Sequence, residues 1–133
     1  MTDIEKNVQI AVPIERVWAA LTDPYAMGEW MEDDTVQIDL QPAGRYTVFG
    51  GETTGVFTLI EKPDFLEYTW RQNTWDRSWP DSVVRWELRR MGKTTQIHLI
   101  HSKFPNAEER TNHDESWDLY WLEPMAEWLE SEM

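Results

Sequence analysis

The chain has 133 residues, 41% of them apolar and 28% charged, which fits a globular protein with one domain over residues 1–133. Lys and Arg total 12 against 25 Asp and Glu, a net charge of −13 that repels phosphate backbones and anionic lipid and argues against nucleic-acid or membrane-surface partners. The 0 cysteines exclude disulfides, thiolate nucleophiles and Cys-ligated metals. No apolar run nears the roughly 20 residues of a membrane span. The acidic start Met1-Thr2-Asp3-Ile4-Glu5 lacks the basic-then-apolar pattern of a secretory signal, so a cytoplasmic protein is expected.

Asn7 to Val12 alternates, placing Val8, Ile10 and Val12 on one face of a strand. Pro13 suits the first turn of a short helix with Val17, Trp18, Ala20 and Leu21 on its apolar side. Asp23-Pro24, an N-cap followed by a first-turn proline, opens a second short helix ending near Trp30-Met31. Period-two segments follow at Thr35–Leu40 (Val36, Ile38 and Leu40 on one face), Arg45–Phe49, Thr53–Ile60, Leu66–Trp70, Val83–Arg89 (Val84, Trp86 and Leu88 together, Trp86 inward) and Thr95–His101 (Ile97, Leu99 and His101 inward). Short Gly- and Pro-bearing turns join most of them, the pattern of an antiparallel meander. Asn106 then caps a long helix reaching about Glu130. At 100° per residue its apolar arc holds Trp117, Trp121, Met125 and Trp128, with Leu122 and Leu129 at the edge. Pro124 predicts a kink. The expected architecture is α+β: about six or seven curved antiparallel strands around a long C-terminal helix, with two short helices after the first strand.

Tryptophan is the compositional oddity. The 9 Trp outnumber 4 Phe and 4 Tyr together, and a buried indole needs an acceptor for its N–H. Most of them serve a core, and some are expected to line a cavity for a flat or greasy ligand.

The runs Val12-Pro13-Ile14-Glu15-Arg16-Val17-Trp18, Leu21-Thr22-Asp23-Pro24 and Trp30 resemble the opening of activator-of-heat-shock-ATPase homologue-like proteins. Further matches are Pro42-Ala43-Gly44-Arg45-Tyr46, Leu66-Glu67-Tyr68-Thr69-Trp70, His101-Ser102-Lys103-Phe104-Pro105, His113 and Ser116-Trp117. That family sits in the helix-grip superfamily with birch-pollen-allergen-like proteins, START domains and aromatase/cyclase domains. The resemblance implies a helix-grip fold with a hydrophobic cavity between sheet and long helix. It also implies one of three roles: carrier or sensor of a small hydrophobic ligand, cyclase- or hydrolase-type enzyme, or stimulator of a chaperone ATPase. Where the family usually has glycine before the tryptophan, this chain has Ser116, expected to alter how helix and sheet approach.

The candidate ligand-binding residues are Trp30, Met31, Trp70, Trp86, His101, His113, Asp114, Trp117 and Trp121. The aromatic members would stack on a ligand, and a His101/His113/Asp114 cluster at the cavity end would orient it. His98 and His101 are three apart on a strand and face opposite sides, so they make no metal pair. Phosphate-loop, dinucleotide and nucleophile-elbow patterns are missing, so no cofactor, metal or catalytic residue is assigned. Trp75 and Trp79, in the segment Gln72–Ser82, either pin that loop to the body or form a lid. Glu115, Glu123, Glu127 and Glu130 form a solvated helix face that a basic protein partner could use.

Overall fold

The computed structural model describes residues 2–131. The elements run β1 (Ile4–Ile10), α1 (Ile14–Thr22), α2 (Pro24–Met31), β2 (Gln37–Ile38), β3 (Arg45–Val48), β4 (Thr53–Glu61), β5 (Phe65–Gln72), β6 (Ser82–Met91), β7 (Thr94–Ser102), α3 (Ala107–Trp117), a π-helical turn (Asp118–Leu122) and α4 (Glu123–Ser131). The seven strands form one antiparallel sheet in the order β1-β7-β6-β5-β4-β3-β2. β2 to β7 are the meander, and the first strand closes its far edge by pairing with the last. Alternation drives this arrangement. Val84, Trp86 and Leu88 of β6 and Ile97, Leu99 and His101 of β7 all face the buried side, at 5% exposure or less.

A register shift between Phe57 and Leu59 bends β4, as an extra residue in one strand of a pair does. Gly55 matters at the same bend, because a Cβ there would run into the Thr69 carbonyl and the Tyr46 ring. The Tyr46 hydroxyl donates to that carbonyl at 2.7 Å. The helix caps follow the sequence signals: the side chain of Asp23 accepts from the Tyr25 N–H and that of Asn106 from the Glu109 N–H, each at 2.9 Å.

Three expectations are corrected. The first strand spans Ile4–Ile10 rather than Asn7–Val12, because β7 offers partners as far as His101, opposite Ile4; Val12 is buried but lies past the strand. β2 is only Gln37–Ile38 rather than Thr35–Leu40, because β3 pairs with it only there, and Leu40 lies beyond it, 40% exposed. The third concerns the long helix. Pro124 cannot donate to the carbonyl one turn back, and the chain answers with the π-helical turn, where the Glu123 N–H reaches the Asp118 carbonyl. A π turn acts like one residue inserted into an α-helix, shifting everything after it by about 100°. Leu129 therefore takes the inward place (0% exposed) and Trp128 swings to a half-buried position, its Nε1–H donating to Glu29 at 3.1 Å.

Candidate functional site

The space between sheet and helix is filled by the protein's own indoles. Trp30 comes from α2, Trp70 from β5, Trp86 from β6, Trp117 from the end of α3 and Trp121 from the π turn. Ring centroids are 4.9 Å apart for Trp117–Trp121, 5.0 Å for Trp70–Trp117, 5.7 Å for Trp30–Trp121 and 5.9 Å for Trp86–Trp117, all tilted or edge-on. Indoles pack favourably in this way. The internal cavity expected from the sequence is thus largely closed, and Trp86 and His101, both 0% exposed, sit beyond a ligand's reach.

The N–H groups of Trp117 and Trp70 find acceptors in an ordered chain. Trp117 Nε1–H donates to His101 Nδ1 at 3.0 Å, and His101 Nε2 lies 2.7 Å from Ser82 Oγ, which itself donates to the Trp70 carbonyl at 3.0 Å. The Ser82 proton is committed to that carbonyl, so His101 carries its hydrogen on Nε2. Trp70 Nε1–H donates to His113 Nε2 at 3.1 Å, and His113 Nδ1–H donates to the Glu109 carbonyl at 2.7 Å. Both imidazoles are neutral, with both nitrogens engaged. Burial drives the His101 pKa well below the usual histidine value, and the neighbouring His113 adds to the effect. Burial also lowers His113, against the opposing pull of the Glu109 carbonyl.

Asp114 is not part of this cluster. Its carboxylate turns to β1 and pairs with Lys6 at 2.8 Å, with Asp118 on the same ammonium at 3.0 Å. Lys6 also holds the Asp114 carboxyl below the ordinary range. The third member of the polar cluster is Ser82. The two aspartates fall on the helix's inner arc because β1 presents a lysine there.

What stays open is a cleft of about 480 Å³ beside the indole cluster, between the α3–π-turn segment and the β4–β5 part of the sheet. Trp70, Trp117 and Trp121 wall it with His113 and Tyr120, and Glu52 and Glu109 stand among its lining residues, which include no Lys or Arg. Trp30 and Met31 are not in it. They line a separate depression of about 410 Å³ with Leu119, Tyr120 and Pro124, so the single site expected from sequence is divided. Phe49 borders both. Its backbone is left-handed (φ 53°), a strained state for a non-glycine residue, and the Asp33 carboxylate holds its N–H at 2.6 Å. Ser116 also lines the cleft, and its hydroxyl donates back to the Asn112 carbonyl at 3.1 Å. The loop after β5 is pinned: Trp75 is 5% exposed and donates to Glu109 Oε1 at 2.6 Å, and Arg71 bonds the carbonyls of Asp76 and Trp79. Among the described residues no group of His, Asp or Glu could hold a metal ion, and no helix is long and apolar enough to cross a membrane.

Residues 11–130, from just before α1 to the last turns of α4, match the family described as activator of Hsp90 ATPase homolog 1-like protein. The chain belongs to that family. A Schizosaccharomyces pombe protein described as uncharacterized is 24% identical over 118 residues, covering 89% of this chain and 34% of that protein. The chain therefore spans about a third of the length of the curated relative it matches. Among solved structures, an HSP90 activator from Plasmodium falciparum superposes with a TM-score of 0.83 at 24% identity, covering 92% of each chain. A Mesorhizobium loti protein gives 0.84 at 22% identity over 98% of each chain. At these identities the likeness carries the helix-grip fold and nothing finer about this family member.

Sequence reasoning reached Trp70, His113, Trp117 and Trp121 of the cleft but missed Phe49, Glu52, Glu109 and Tyr120. Phe49 had one signal, a large apolar residue directly before Gly50-Gly51. The carboxylates had none, because exposed glutamates are common on this chain.

Proposed function

We propose that this protein binds a small, flat hydrophobic molecule, aromatic or lipid-like, in the cleft between sheet and C-terminal helix, as a cytoplasmic carrier or sensor and not as a catalyst. The observation that carries this reading is the cleft itself, with three indoles on its walls. Burying apolar ligand surface there supplies about 25 cal/mol per Å² before ordering costs. The histidines favour binding over turnover: both nitrogens of His113, the one at the cleft, are already committed to hydrogen bonds, so this imidazole is not free to act as a general base. The test is a ¹⁵N–¹H correlation spectrum titrated with fatty acids, sterols, flavonoids and aromatic polyketides. Saturable shifts of the Trp70, Trp117 and Trp121 Nε1–H signals, with Trp86 nearly still, are expected. Silence at all three from every probe removes the reading.

A second reading rests on Leu119 and Tyr120, 49% and 60% exposed beside the acidic face of α4. A chaperone contact there would parallel the relative described as an HSP90 activator. Stimulation of an Hsp90 ATPase that is lost in Leu119→Ser would support it, and no stimulation by the unaltered chain would end it.

A further inference from the structure

The cleft's lining says which sign of charge its occupant bears. Its ionisable residues are Glu52, Glu109 and His113, with no Lys or Arg. His113 is held neutral by its two hydrogen bonds, so the lining is anionic within a chain of net charge −13. A carboxylate or phosphate entering it would find no counter-charge and would be desolvated against two carboxylates, which is costly. Trp70, Trp117, Trp121 and Tyr120 line its walls, Tyr120 the most exposed of them. Indole and phenol faces attract cations.

A second, independent observation comes from Trp121. The other two indoles of the cleft spend their N–H groups on His113 and His101. Trp121 is only 4% exposed, yet its Nε1–H meets no acceptor among the described residues. Every side-chain nitrogen or oxygen sealed from solvent does have a partner, so this N–H reaches open space, and the cleft is the open space that Trp121 lines. An occupant that covers this donor takes it out of water, and leaving the N–H unpaired would then be unfavourable. An occupant that offers an oxygen satisfies it.

We propose that the cleft selects a planar aromatic organic cation carrying an acceptor oxygen, its ring against Tyr120, its oxygen on the Trp121 N–H and its charge toward Glu52 and Glu109. This rests on the cleft being the binding site, as proposed above, and adds the chemical class of the ligand.

Three probes of one shape test it at pH 7.5 and low salt: 6-methoxy-N-methylquinolinium (cation), 6-methoxyquinoline (neutral) and 6-methoxy-2-naphthoate (anion). Affinities are read from the Nε1–H signals of Trp70, Trp117 and Trp121. The cation is expected to bind about tenfold tighter than the neutral ring, and the anion more weakly than either. Glu52→Gln, an exposed change that leaves the fold alone, should weaken the cation about threefold and leave the neutral probe unchanged. Removing the methoxy group should weaken the cation with unaltered protein and have no effect in Trp121→Phe. A neutral or anionic probe that binds as tightly as the cation overturns the charge selection and leaves the cleft reading standing. So does silence from all three alongside saturable binding of a flavonoid. Silence from every probe removes both.

Discussion

The two halves of the C-terminal helix are held to the body by different physics. α4 lies close against α1, α2 and β1, whereas α3 approaches no strand as closely. α4 buries Met125 and Leu129, apolar side chains with no hydrogen-bond donor to satisfy. α3 buries only His113 and Trp117, and these reach to β5 and β7 with rings and hydrogen bonds. The wider gap is bridged by large aromatic side chains. The cleft lies at that end, with Trp70, Trp117 and Trp121 in its walls.

Breaking each end separately should separate the two mechanisms. Trp117→Ala removes a ring at the centre of the indole cluster and strips His101 Nδ1 of its donor. It is expected to cost about 4 kcal/mol by urea unfolding and to abolish ligand-induced shifts at Trp70. Leu129→Ala should cost about 3 kcal/mol but leave those shifts intact. If both variants lose binding equally, the halves are not independent.

Acid should weaken the α3 end alone. Both histidines have folded pKa values below the unfolded value of about 6.5. Their contribution is therefore complete above that pH and declines as pH falls from there toward the folded values, where the unfolded chain takes up protons that the folded chain refuses. The slope is at most about 1.4 kcal/mol per pH unit for each histidine. Urea midpoints at pH 7.0, 6.0 and 5.0 check it: the decline should persist in Leu129→Ala and lessen in His113→Gln. A flat profile in the unaltered protein would show that the imidazoles are not held as described. The smallest effect is at the surface. Lys6→Ala should cost under about 1 kcal/mol, since its carboxylate partners are half exposed and solvent screens the pairs.

The same division marks what could be read from the sequence. Alternation in β6 and β7 and the caps Asp23 and Asn106 identified elements because each is a local signal with a local cause. β2 was overdrawn because Val36, Ile38 and Leu40 alternate just as a core strand does, while β3 pairs with this segment only at Gln37 and Ile38 and leaves Leu40 exposed. Trp128 was placed inward and Leu129 at the margin because a uniform 100° rotation was assumed across Pro124. Asp114 was joined to the histidines for the same kind of reason: an angle on a helix gives a direction, and only the neighbouring strand reveals that Lys6 waits there. The cleft's carboxylates depend on which residues from distant segments meet, and no spacing rule encodes that.

The hydrogen-bond chain from Trp117 through His101 and Ser82 to the Trp70 carbonyl, and from the Trp70 ring through His113 to Glu109, runs in a single direction. An indole nitrogen can give a proton and cannot accept one. The sequence of donors therefore cannot be reversed, and each imidazole has one tautomer available. A further proton on His113 or His101 would set N–H against N–H, facing Trp70 or Trp117. The core could relieve that conflict only by parting those two rings from their histidines, and the same two rings are walls of the cleft. Acid thus strikes first at the shape of the binding surface, while the other end, which buries Met125 and Leu129 and no imidazole, still holds the helix in place.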